Sequence, residues 1–165
     1  LHAKLKKNCF VLSLLSSVMP TKIYPVNEDI DSEYTLYFDG GSRGNPGPGG
    51  AGYALFKDGI EISSDSMPLG ICTNNYAEYT ALILGLQNAV ECHKIQTLII
   101  RGDSLLVIKH CQGQWKIKSN NLKPLYDIAT SLLKRINTSK LEHIKREFNK
   151  RADQLANEGI DKNSD

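Results

Sequence analysis

Sulfur and long apolar runs are scarce in this sequence. Its 165 residues include four cysteines, two methionines and one tryptophan, and no pair of cysteines has CxxC spacing. That excludes the usual zinc ribbon or finger. Cys92-His93 and His110-Cys111 do not rescue a zinc site, because adjacent helical side chains point about 100° apart and chelate poorly. Cys9, Cys72, Cys92 and Cys111 are therefore expected to be free thiols in a reducing compartment. The apolar stretch from Cys9 to Leu15 is too short to span a bilayer. No Gly-Lys-Ser/Thr follows the glycine-rich run, which excludes a P-loop. The formal net charge is only +2, so the chain is not globally polycationic.

Four carboxylates stand out because of where they sit. Asp39 ends the run Tyr34-Thr35-Leu36-Tyr37-Phe38 and opens a glycine-rich stretch. Glu78 extends the helical stripe Leu82, Leu86 and Ala89 by one turn. Asp103 closes Leu98-Ile99-Ile100-Arg101-Gly102, and Asp153 lies in the first turns of an Ala/Leu-patterned helix. Singly, Asp39 reads as a turn residue, Asp103 followed by Ser104 as a helix N-cap, and Asp153 as a partner of the helix dipole. Glu78 has no such ordinary explanation. Charges at the edge of a core are costly unless paired. Two carboxylates about 4 Å apart repel by roughly 4 kcal/mol at an effective dielectric of about 20. Four together need cations, and oxygen-only ligands select Mg²⁺ or Mn²⁺ over zinc. Basic residues crowd the second half, from Lys109 to Arg151, as expected for a metal enzyme with a polyanionic substrate.

The chain divides into a tail at residues 1–33, a domain at 34–160 and a short tail at 161–165. The first segment carries Lys4, Lys6 and Lys7 before its apolar stretch and no acid before Glu28. It reads as an organelle-targeting segment or a non-native extension, with secretion ranked lower. The expected location is intracellular: cytoplasm, nucleus, or an organelle if the segment is a transit peptide. Within the domain, strands are predicted at 34–39, 51–57 and 60–68, with an extended turn at 40–50. A helix capped by Thr73-Asn74 runs to about Cys92, then a buried strand covers 96–101. Helices follow at 104–111 and 121–136, a fifth strand at 141–146 and a final helix at 149–160. The order βββαβααβα predicts an α/β fold with a five-stranded mixed sheet flanked by helices. Strand four would lie parallel beside strand one, bringing Asp39 and Asp103 together near strand ends, where ligands of open α/β sheets bind.

Gly47-Pro48-Gly49-Gly50-Ala51-Gly52 matches GxGxxG, but a dinucleotide site needs that motif to open a helix, and here it leads into a strand. The run reads instead as a hairpin connection with several positive φ angles. Gly40, Gly41 and Gly44, beside Asp39, would also let a ligand come close.

Residues 34–160 resemble the type 1 ribonuclease H family. The resemblance is carried in order by Tyr37 through Gly52, by Thr73-Asn74-Asn75-Tyr76-Ala77-Glu78, by Gly102-Asp103-Ser104 and by Asn149-Lys150-Arg151-Ala152-Asp153. It implies a metal-dependent endoribonuclease that hydrolyses the RNA strand of RNA–DNA hybrids, leaving 5′-phosphate and 3′-hydroxyl ends. It also implies two Mg²⁺ or Mn²⁺ ions per site, held by Asp39, Glu78, Asp103 and Asp153. Gly40, Gly41, Gly44, Asn45, Thr73, Asn74, Asn75 and Ser104 match substrate-contacting positions. Such short polar groups suit backbone recognition with little sequence preference. The expected partner is the hybrid alone, for a monomer with no membrane association.

The sequence departs from one branch of the family in lacking a basic insertion before its 121–136 helix. Trp115, Lys116 and Lys118 are candidates to replace part of that affinity. His143 falls in a predicted strand and reads as structural. Arg146 resembles a functional arginine of the insertion-free branch and is a candidate to hold the scissile phosphate or assist product release. Leu105 stands where many relatives carry Gln. The rival readings are a non-cleaving hybrid or double-stranded RNA binding module and a nuclease domain from a retroelement. A proofreading exonuclease is disfavoured because Asp39 is followed by Gly40-Gly41 rather than by an Asp-x-Glu pattern.

Overall fold

The computed structural model describes residues 30–164; the targeting expectation for the N-terminal segment falls almost wholly outside them. Strands β1 (Tyr34–Ser42), β2 (Gly47–Lys57) and β3 (Ile60–Cys72) form an antiparallel meander. Helix α1 (Asn74–Gln87) leads through a π-helical turn to β4 (Thr97–Gly102). Helices α2 (Leu105–Cys111) and α3 (Lys123–Leu133) precede β5 (Thr138–His143), and α4 (Lys150–Asp161) follows. The sheet order is β3-β2-β1-β4-β5, with β4 parallel to both β1 and β5. No helix among the described residues is long and apolar enough to cross a membrane.

Helix α1 is the central helix. Residues from Ala77 to Leu86 are buried almost all round, because the helix lies between the sheet and α3. On the sheet side, Leu36 and Phe38 are fully buried, and a Cβ at Gly85 would lie 2.7 Å from Leu36. Helix α4 covers the other face. Ala152, Leu155, Ala156, Gly159 and Ile160 recur at helical spacing and are all buried. Its backbone sits directly on β2: Cβ atoms at Gly50 and Gly52 would meet main-chain atoms of Ala156 at 2.3 and 2.5 Å.

That close packing corrects the reading of the glycine run. Only Arg43 to Pro46 form the turn, while Gly40–Ser42 and Gly47–Gly50 extend β1 and β2. Of this run only Gly44 has a positive φ, at 101°. Gly40, Gly50 and Gly52 let helix main chains lie against the sheet, whereas Gly47 and Gly49 face the Arg43 carbonyl and the Cys72 thiol. The fifth strand is also earlier than predicted, ending at His143, so Arg146 belongs to a 3₁₀ turn, Arg146–Phe148. Among the described cysteines, Cys72 and Cys111 are free thiols.

Candidate metal and nucleic-acid site

The site forms where β1 and β4 part. Their parallel pairing ends at Phe38 and Gly102; the next residue on each strand is an acid, Asp39 or Asp103. Glu78 reaches the same point from α1. Gly40 makes this possible, since a Cβ there would lie 2.2 Å from the Ala77 carbonyl carbon and 2.5 Å from the Glu78 nitrogen. Thr73 starts the helix by accepting from Tyr76 N–H at 3.2 Å.

Asp39, Glu78 and Asp103 each offer a carboxylate oxygen, and these lie within 4.8 Å of one another. Asp39 is only 7% exposed and accepts from the Gly40 N–H at 2.9 Å. The Oε2 atom of Glu78 is sealed from solvent with no hydrogen-bond partner. Burial, then the charge of Asp103, pushes the Asp39 carboxyl up to about 8. Burial, then the charges of Asp39 and Asp103, raises Glu78 well above the ordinary carboxylate range. An unpartnered buried oxygen beside two further carboxylates fits a hard divalent cation.

Asp153 lines the same open cleft of about 410 Å³, but its neighbour is a cation: Arg146 Nη2 donates to Asp153 Oδ1 at 2.8 Å. Three acids thus form the tight cluster, and the fourth stands at its edge, neutralised by an arginine. This narrows the expectation of four mutually close carboxylates. Arg43 also lines the cleft and pairs with Asp161 at 2.7 Å.

The matched polar residues gather around the start of α1. Asn45, Thr73, Asn74 and Asn75 are exposed. Asn45 Oδ1 accepts from the Asn74 N–H at 2.9 Å, and Asn74 Oδ1 accepts from the Ser42 N–H at 2.8 Å. Their acceptors knit the β1–β2 turn to the helix, and no protein hydrogen bond among the described residues engages their amide NH₂ groups. Gly41 and Gly44 lie beside this network, and a Cβ at Gly41 would meet nothing closer than 3.9 Å. Gly40 also lines the cleft, and the space a Cβ would take there is filled by the main chain of Ala77 and Glu78. Ser104 Oγ caps α2 by accepting from Val107 N–H at 3.4 Å, leaving the Asp103 side chain out of the cap. Trp115, 46% exposed, sits on the α2–α3 connection, not in the core, and Leu105 is exposed at the start of α2.

Two contacts were not anticipated. His143, expected to be structural, donates from Nε2 to the Asp103 carbonyl at 3.2 Å. Asn149 is 1% exposed and donates from Nδ2 to the Phe38 carbonyl at 2.9 Å and to Asp103 Oδ1 at 3.4 Å. The signal for Asn149 was weak, since Asn before a helix ordinarily reads as a cap.

Comparison with known proteins agrees with this geometry. A reverse transcriptase-like family model matches residues 37–159. Ribonuclease HI of Halobacterium salinarum is 39% identical over 144 residues, covering 86% of this chain and 72% of that protein. A bifunctional protein of Mycobacterium tuberculosis is 38% identical over 125 residues, 74% of this chain, which spans only 34% of that relative. The solved Halobacterium salinarum ribonuclease H1 superposes with a TM-score of 0.75 at 39% identity, covering 78% of this chain and 98% of that one. A ribonuclease H1 isolated from compost, solved in complex with an RNA/DNA hybrid, gives a TM-score of 0.75 at 36% identity, covering 80% and 99%. With its sheet order, its acid cluster and these similarities, the chain belongs to the type 1 ribonuclease H family.

Proposed function

We propose that this protein is a ribonuclease H that cuts the RNA strand of RNA–DNA hybrids in a reaction dependent on Mg²⁺ or Mn²⁺. The observation that carries the reading is the meeting of Asp39, Glu78 and Asp103 from three separate elements in one cleft, in a chain of this family. Among the described residues, no ion pair engages that trio as Arg146 engages Asp153. Asp39, Glu78 and Asp103 would hold divalent cations, with Asp153 joining after release from Arg146. Bound there, two such ions would supply Lewis-acid polarisation of a phosphoryl oxygen and acidification of a water.

The remaining work falls to the chain's own groups. The free amide NH₂ groups of Asn45 and Asn74, with exposed Asn75, suit hydrogen bonds to phosphate and 2′-hydroxyl oxygens. Contacts to phosphate and 2′-hydroxyl oxygens carry no sequence information directly, so cutting should follow helix shape with little sequence preference. Arg146 suits a non-bridging phosphate oxygen, with its planar donor fork beside the cleft. Trp115, Lys116 and Lys118 stand on the surface of the α2–α3 connection and would extend the contact with the duplex.

The test is a panel of end-labelled duplexes incubated with Mg²⁺, Mn²⁺ or EDTA. Cutting of the RNA strand in RNA–DNA only, with a divalent metal, supports the proposal. Tight hybrid binding without cutting in either metal would instead make the protein a binding module of this fold.

A further inference from the structure

Resting on that reading of the site, we propose that Asn149 is a positioning residue that fixes the separation of the Asp39 and Asp103 strand ends and thereby sets divalent-metal affinity. Asn149 precedes α4 in the place where an Asn side chain normally caps the helix, yet it makes no cap hydrogen bond. Its amide group is turned to the two strand ends instead. Nδ2 donates at 2.9 Å to the carbonyl of Phe38, the residue before Asp39 and the last of β1 to pair with β4. The same nitrogen lies 3.4 Å from Asp103 Oδ1. The Asn149 main-chain carbonyl accepts from the Asp153 N–H at 3.0 Å. One residue therefore touches the segments that carry three of the four acids.

This arrangement gives up a helix cap and leaves Asn149 Oδ1 buried without a partner. A side chain serving only helix stability would not be spent this way. Where the parallel ladder stops, no further β1–β4 hydrogen bond holds Asp39 and Asp103 at a fixed spacing. The Nδ2 bridge does so, and its pull on Asp103 Oδ1 orients that carboxylate, as supporting hydrogen bonds orient ligands in metal sites.

The full-length chain should be compared with Asn149→Ser and Asn149→Leu. Serine can restore the missing cap but is too short for both acceptors; leucine keeps the bulk and removes the donor. Mn²⁺ affinity is measured by titration calorimetry without nucleic acid, folding by thermal melting, and hybrid binding in EDTA. Both variants should melt cooperatively, bind Mn²⁺ about 10- to 100-fold more weakly and bind hybrid within about twofold of the unsubstituted protein. A folded variant whose Mn²⁺ affinity stays within about twofold of the unsubstituted chain would overturn the proposal. So would failure of both variants to fold, which would assign Asn149 to the stability of the whole domain. If the unsubstituted chain neither binds Mn²⁺ nor cuts hybrid, the reading of the site itself fails, and that result is distinct from the other two.

Discussion

The main chain of Ala77 fills the space where Gly40 would carry a side chain, with only 2.2 Å between a hypothetical Cβ and the Ala77 carbonyl carbon. Because Glu78 follows Ala77, this contact sets how near α1 brings its carboxylate to Asp39. Gly40→Ala should force the helix away. Overpacking of this kind costs about 1–3 kcal/mol of stability. Displacing Glu78 should lower kcat/KM by about 100-fold or more, since errors near 1 Å cost that much in positioned catalysis. Melting curves and steady-state cleavage of a labelled hybrid check both effects.

Asp39 carries a pH signature. Its folded-state carboxyl is pushed up to about 8, against an ordinary value of 3.8, and Glu78 shifts in the same direction. Between those values the native state holds protons that the unfolded chain has released, so stability falls as pH rises. The contribution is fully present below about 3.8 and is lost as pH climbs through about 8. In EDTA, the melting temperature should therefore decline from about pH 5 to about pH 8. Added Mg²⁺ should raise it more at the higher pH, because metal binding requires the deprotonated acids.

Asp39→Asn separates charge from shape. It keeps the size of the side chain and removes the ionisation that burial opposes. In EDTA near pH 8 the variant should melt above the unsubstituted protein, while hybrid cleavage falls about 1,000-fold or more. A variant less stable at that pH, or one with unchanged turnover, would contradict the assignment of Asp39.

Arg146 makes an exposed ion pair with Asp153, and exposed pairs contribute less than about 1 kcal/mol. Arg146→Ala should thus leave the melting temperature nearly unchanged and lower kcat roughly 100-fold, the scale of losing one donor to a reacting oxygen. Arg146→Lys should recover only part of the rate, because a point charge cannot reproduce the planar fork. A wild-type rate in Arg146→Ala would make the residue a surface charge.

The sheet was readable from its alternation and turns: Leu36 and Phe38 inward on β1, Asp58-Gly59 between β2 and β3, and helical spacing in α3 and α4. The acids were readable because each broke an apolar pattern at an element's edge. What misled was chemistry that serves two purposes. Gly47, Gly49 and Gly50 look like turn residues, but the close approach of the Arg43 main chain, the Cys72 side chain and the α4 main chain, respectively, requires them inside a strand. Thr138-Ser139-Lys140 has no apolar residue to mark the start of β5, an edge strand with little core to face. Asp153 looked like a fourth equal member of the cluster, because nothing in sequence spacing reveals that a 3₁₀ turn returns Arg146 to it. Asn149 hid behind the ordinary preference for Asn before a helix.

The most direct test of the central claim is calorimetric titration of the metal-free protein with Mn²⁺ near neutral pH, in two buffers of different ionisation heat. Saturable binding with release of about one proton or more is expected, because Asp39 and Glu78 must deprotonate to bind the ion. Both the binding and the proton release should be lost in Asp39→Asn. Equal binding by the two proteins, with no proton released, would mean that these carboxylates are not the metal centre.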